Sequence, residues 1–161
     1  MNAGAKAASG DVLYFLHADT FPPQEFESQI KQAVVQGCGS GCYRLRFDGT
    51  HWFLRLNAWF TRFDVDALRF GDQSLFVRRD VFEQCKGFNE RLLLLEDQEI
   101  ISRLRKAAPF IVLPQQVTTS ARKYKIYGVY RLQAGYYLIY TMYRLGLPQE
   151  KLLQVYKRLL Q

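Results

Sequence analysis

A five-residue apolar run, Val12–Leu16, stops at His17-Ala18-Asp19, and this stop constrains the chain more than any other stretch. A run of that length suits a strand covered on both faces. Ala3, Ala5, Ala7 and Ala8 ahead of it favour helix, and Gly10 supplies a residue able to end that helix with positive φ. Asp19 then falls just past the strand's carboxyl end. Open α/β sheets bind their ligands there, and a carboxylate in that position can hold a divalent cation against a phosphate. The competing role for Asp19 is a cap on a helix that begins near Pro22.

The succession Asn2-x-Gly4, Gly10-Asp11, apolar strand and acidic stop resembles the family-2 glycosyltransferases of the GT-A fold. More narrowly, it resembles the bacterial subgroup whose metal motif reads His-Ala-Asp in place of Asp-x-Asp. The resemblance implies an α/β fold: a truncated GT-A (Rossmann-like) mixed sheet flanked by helices, closed by a C-terminal helix pair. Residues 1–161 then form one domain, the C-terminal portion of a GT-A domain, with 126–161 as a helical extension. The implied activity is inverting transfer of a sugar from a nucleotide-diphosphate sugar to a hydroxyl of a lipid or saccharide acceptor. A divalent metal, manganese or magnesium, would sit at Asp19, with Asn2 and Gly4 on the nucleotide-sugar side. His17 stands where the wider family has its first Asp, as a partner or a weak ligand of that metal. The nucleotide-binding first third of the family has no counterpart ahead of Met1, so the expectation is a chain that binds nucleotide-sugar weakly and is inactive alone.

Composition sets the outer limits. At 161 residues, 48% hydrophobic and 23% charged, the chain is globular and long enough for one real core. No apolar run approaches the ~20 residues that span a bilayer, and no export signal opens the chain. Cys38, Cys42 and Cys85 are an odd set without Cys-x-x-Cys, which indicates free thiols and a cytoplasmic setting, at the inner face of the membrane if the chain is peripheral to it. A net charge of +7 suits anionic partners. Nucleic acid is disfavoured, because zinc spacings, helix-turn-helix and RNA-binding aromatic signatures are missing from the sequence.

Further along, Pro22–Gln36 reads as a helix with Phe26, Ile30, Ala33 and Val34 on one face, capped by Asp19 or Thr20 and ended by Gly37. Gly39–Phe47 alternates like a half-exposed strand, with Cys42, Arg44 and Arg46 outward, and Gly37, Gly39 and Gly41 read as a flexible connector. Asp48-Gly49 marks a turn. His51–Phe63 is an amphipathic helix begun by His51, with Trp52, Leu56, Trp59, Phe60 and Phe63 on the face assigned to core or a partner helix. Asp64–Phe70 reads as loop, Ser74–Val77 as strand, Val81–Lys86 as helix capped by Asp80, and Glu96–Ala107 as helix. Phe110–Leu113 is a strand ended by Pro114, and Val117–Tyr124 a basic loop. Helices at about Ile126–Leu145 and Pro148–Leu160 close the chain.

Asp97 is the second candidate position. Ile100, Ile101 and Leu104 lie three, four and seven residues on, so Asp97 shares their inward stripe at the helix's first turn. A carboxylate facing inward is costly unless it lines a cavity. Desolvation raises its pKa and makes it a better proton acceptor, while the positive helix end opposes that shift. For Glu96, complementing the helix dipole is the simpler role. The family resemblance implies that Asp97 is the general base, with Glu96 beside it and Gly71, Asp72 and Gln73 on the acceptor side, in the segment Gly71–Arg79. It also implies that Arg122 and Lys123 approach the diphosphate. The rival reading is a non-catalytic domain derived from the same fold. It would dimerise through a sheet edge or the last two helices, or lie on a membrane through the tyrosines and arginines of 127–144.

Overall fold

The computed structural model describes residues 1–69 and 71–161. Phe70, read from sequence as the end of the Asp64–Phe70 loop, lies outside the described residues. The chain runs α1 (Asn2–Ala7), β1 (Val12–Phe15), β2 (Thr20–Phe21), α2 (Phe26–Val35), β3 (Ser40–Phe47), α3 (Trp52–Phe60), β4 (Leu75–Arg78), α4 (Arg79–Gln84), α5 (Glu96–Ala107), β5 (Phe110–Thr119), α6 (Arg122–Tyr127), α7 (Val129–Arg144) and α8 (Gln149–Leu159). Short 3-10 turns at Asp66–Leu68 and Gly71–Gln73 precede β4.

The five strands form one mixed sheet in the order β1-β4-β3-β5-β2. The β3 and β5 strands are parallel, and the other pairs are antiparallel. It follows that β1, β3 and β5 run one way and end at the same side of the sheet. Only Leu16–Asp19 joins β1 at one border to β2 at the other. A flat five-strand sheet holds its borders about 19 Å apart, and the linker also contains a turn, closed by the Thr20 N–H to the His17 carbonyl at 3.1 Å. The sheet must therefore curl at that end.

Two cores lie on its two faces, as period-2 alternation requires. On β4, Phe76 joins Tyr43, Leu45, Leu54 and Leu132 on one face, whereas Leu75 and Val77 join Leu13, Phe82, Ile100 and Leu104 on the other. On β1, Val12 and Tyr14 go to the first face, and Leu13 and Phe15 to the second. This strand is thus covered on both faces as expected. It pairs along one side only, with β4, and so forms a border of the sheet.

Several expectations are corrected. The α1 helix ends because Ala8 turns extended, and Gly10 is not among the positive-φ glycines. Arg79 covers the exposed carbonyls there, donating to Ala5, Ala8 and Gly10, so it belongs to the support of α1. Neither Asp19 nor Thr20 caps α2. That helix starts after a left-handed Glu25, while Thr20 enters β2 and its Oγ1 donates to Thr119 Oγ1 at 3.0 Å. Similarly, α4 is preceded by Arg78, with Asp80 in its first turn.

The β3 strand is central and almost wholly buried, Cys42 included, rather than half exposed. Its glycines allow close approach rather than flexibility. A Cβ on Gly41 would lie 2.4 Å from the Ile111 carbonyl and 2.6 Å from the Phe76 ring, and one on Gly39 would lie 2.3 Å from Ala108 Cβ. Gly37 (φ 93°) stops α2. Pro114 does not end β5. The ladder to β3 passes from Tyr43–Leu113 to Arg44–Gln116, bulging out Pro114 and Gln115, and runs on to Thr119, as bulges permit. The basic stretch beyond it is helical (α6), and Gly128 (φ 86°) separates α6 from α7.

The largest correction concerns α3. Leu54 and Ala58 face inward, and Trp52, Leu56, Trp59, Phe60 and Phe63 are all exposed. His51 does begin this helix, its Nδ1 accepting from the Phe53 N–H at 3.3 Å. Replacing Gly41 with alanine is expected to destabilise the fold by about 1–3 kcal/mol, read as a lower urea midpoint with an unchanged m-value.

Candidate active site

The carboxyl ends of β1, β3 and β5 converge on a cleft of about 330 Å³ whose lining includes His17, Asp19, Asp72, Glu96, Asp97 and Lys123. His17 and Asp19 come from the turn after β1. Asp19 is exposed, and its backbone carbonyl accepts the Ser120 N–H at 3.2 Å, which fixes the turn beside the end of β5. The sequence motif is thus held between the two borders of the curled sheet.

Asp97 enters from the opposite wall. Leu95 adopts a left-handed conformation (φ 64°) immediately before α5, a costly geometry for a leucine, and α5 begins with Glu96. Gln149 at the start of α8 holds the approach, its Oε1 accepting the N–H groups of Leu93 (3.1 Å) and Leu94 (3.0 Å). Asp97 Oδ1 accepts its neighbour Gln98's N–H at 2.8 Å. A Cβ on Gly71 would lie 2.5 Å from Asp97 Oδ2 and 2.7 Å from His17 Nε2, so the carboxylate and the imidazole face each other across that glycine.

Burial is the main force on the Asp97 carboxyl, and the Glu96 charge adds to it. Together they outweigh the hydrogen bonds from Gln98 and Gly71 and push its pKa up to about 6. The helix end does not cancel the desolvation. Asp72, whose Oδ1 is 3.9 Å from His17 Nδ1, is also pushed up by burial and by Asp19, against the opposing pull of His17 and Lys123.

A second cavity, of about 360 Å³, runs along β1 and α1 and includes Gly4, Tyr14, Leu16 and Ser74. It shares His17, Gly71 and Asp97 with the first. The two hollows therefore meet at Asp97. Gly4 lines this groove with no atom within 4 Å of where its Cβ would be.

Three candidate positions lie elsewhere. Asn2 is fully occupied in clamping residues 88–90: its Nδ2 donates to the Phe88 carbonyl and Glu90 Oε1, both at 2.8 Å, and its Oδ1 accepts the Phe88 N–H. Gln73 is buried, and its Nε2 donates to the Tyr43 carbonyl at 3.1 Å. Arg122 is exposed and outside the cleft lining, unlike Lys123. Among the described residues no three His, Cys, Asp or Glu side chains come together as a metal-ligand set.

The apolar and aromatic wall of the cleft was not found from sequence. Asn57 and Phe60 of α3 and Tyr124, Tyr136, Tyr137 and Tyr156 line it. Tyr124 donates to Gln133 Oε1 at 3.2 Å, and Tyr137 to Asn57 Oδ1. Their helical spacing is the same for a tyrosine in a core and one in a cleft, so no sequence signal separates the two. Asp48, read only as part of a turn, accepts the Ala121 N–H at 2.7 Å and steers the chain into α6.

The fold is similar to that of solved structures of S. aureus TarS. The S. aureus TarS 1-349 crystal structure matches with a TM-score of 0.54 at 14% identity, over 96% of this chain and 47% of that one. A longer S. aureus TarS structure matches at 0.57 and 15% identity, over 99% of this chain and 29% of that one. At this identity the likeness is one of fold. The present chain spans less than half the length of either. No protein-family model matches the chain, and no curated protein sequence matches it.

Because folding raises the Asp97 pKa, its penalty on stability enters as pH climbs from the ordinary 3.8 to about 6 and is complete above that. Asp97→Asn is therefore expected to stabilise the fold at neutral pH by roughly 3 kcal/mol and to change little below pH 3.8. Urea unfolding of both proteins at neutral and acid pH checks this.

Proposed function

We propose that the cleft is the reaction centre of an inverting, family-2-type glycosyltransferase, of the subgroup that uses His-Ala-Asp. The observation that carries this reading is the position of Asp97, a carboxylate with a raised pKa where two cavities meet. The sugar ring of a nucleotide-diphosphate sugar lies where the groove along β1 meets the cleft, and its diphosphate reaches Asp19 and Lys123 in the cleft. The aromatic wall of the cleft takes the acceptor, since tyrosine faces suit the apolar faces of saccharide rings.

Asp97 removes the proton from an acceptor hydroxyl as that oxygen bonds to the anomeric carbon. The bond from that carbon to the diphosphate oxygen breaks, and its electron pair leaves with the diphosphate. Attack opposite the leaving group inverts the anomeric centre. Lys123, exposed at the cleft wall, supplies positive charge for the departing phosphates. A divalent ion, when bound, would supply further Lewis-acid neutralisation. Asp19, with Asp72 and His17 nearby, would hold it, and the described side chains do not by themselves complete a three-donor set.

The test pairs calorimetric titration with uridine and guanosine diphosphate, with and without manganese, with an assay of diphosphate release from the corresponding nucleotide-sugars. Asp97→Asn is expected to keep nucleotide affinity and to lower release about a hundred- to ten-thousandfold. Wild-type activity should fall as pH drops below about 6, where the base is protonated. Release that Asp97→Asn leaves unchanged overturns the assignment.

A further inference from the structure

The outer crest of α3 meets no other part of the chain's two cores. Because Leu54, Ala58 and Thr61 turn inward, helical spacing aligns Trp52, Leu56, Trp59 and Phe63 on the far side. They are 62%, 42%, 45% and 43% exposed. Scattered apolar residues on a surface are ordinary, but four large ones in a contiguous row mark an interaction site.

The flanks of the row identify what it meets. On one side Arg46, Arg55 and Arg62 share a groove with Trp59, and the Arg62 guanidinium lies 4.4 Å from the Trp59 ring centre. None of these three arginines forms an ion pair among the described residues. Asp48 lines the same groove, hydrogen-bonded to Ala121 and Ser120, while Asp64 and Asp66 pair with Arg105, so three arginines face one acid and the groove is net positive. On the other side Asn57 and Phe60 line the cleft.

Indole rings beside an excess of guanidinium groups match the headgroup layer of an anionic bilayer, where rings enter the boundary and arginines meet phosphates. An antiparallel second copy fits less well, since that twofold contact would set the arginine rows of both copies against each other. No helix among the described residues is long and apolar enough to cross a membrane, so the contact lies in the interface plane.

We propose that α3 is a docking surface for an anionic lipid bilayer, with Trp52, Leu56, Trp59 and Phe63 entering the headgroup region and the flanking arginines taking lipid phosphates. One consequence rests on the transferase reading: a lipid-borne acceptor hydroxyl would then arrive at the cleft mouth beside Phe60.

The chain has two tryptophans, both in this row, so intrinsic fluorescence reports on it directly. Phosphatidylcholine vesicles containing phosphatidylglycerol are expected to shift the emission to the blue, shield it from acrylamide and sediment the protein. Vesicles of phosphatidylcholine alone should do so weakly, and added salt should weaken the anionic case. Arg55→Gln with Arg62→Gln should reduce affinity roughly thirtyfold. Trp52→Ser with Leu56→Gln should abolish sedimentation while far-ultraviolet circular dichroism stays unchanged. Unshifted emission and protein left in the supernatant with anionic vesicles overturn the proposal. So does a row already shielded without vesicles that opens on dilution, which would mean a second copy covers it. Neither result bears on nucleotide-sugar turnover, so the transferase reading stands or falls separately.

Discussion

The parallel ladder between β3 and β5 is the constraint on which the rest of the structure depends. It runs from Ser40–Phe110 to Phe47–Thr119 and lies at the centre of the sheet. It closes only because Gly41 lets the backbone of β5 and the Phe76 ring approach, and Gly39 lets Ala108 approach, where a side chain would clash. The bulge at Pro114 and Gln115 then brings Thr119 level with Phe47. That alignment delivers Asp48, Ser120 and α6 to one end of the sheet, and β2 fastens the His17–Asp19 turn to the same place. The cleft therefore follows from how one pair of strands is matched in length.

Within the cleft, opposing electrostatic demands are kept apart by position. Asp19 sits in solvent, whereas Asp97 is more buried, against Gly71 and in the lining shared with Leu94 and Leu95. Environment rather than residue type therefore raises the basicity of Asp97. The strained Leu95 and the Gln149 side chain set the direction of α5, and so the aim of Asp97, from outside the hollow.

Asp97 and α5 were legible in the sequence because an acid on an apolar stripe contradicts the pattern around it, and the contradiction has a direction. Both strand and stop at Val12–Asp19 were legible for a similar reason. The α3 face was not. This helix is apolar nearly all round, and the largest side chains suggested the inward side. Contact with β3 selects the smaller arc of Leu54 and Ala58 instead, with Thr61 Oγ1 accepting the Leu45 N–H at 2.9 Å. The bulge that carries β5 past Pro114 was hidden because proline removes the donor that local reasoning expects, and only the neighbouring strand shows the ladder resuming. Arg69 was equally silent. It lies wholly buried, its guanidinium held by the carbonyls of Thr61 and Phe63 and by Cys42 Sγ, an arrangement that tertiary folding alone creates.

The bordering position of β1 has a consequence for how the molecule can grow. Val12–Phe15 is hydrogen-bonded to β4 along one rim, and its other rim is not part of any ladder among the described residues. Backbone groups along that rim accept a further strand without any existing pair being broken. Such an addition enlarges the sheet beside β1 while the pairing of β1 with β4 is kept. The architecture is in this sense modular: one margin can be extended while the order of the five strands stays as it is.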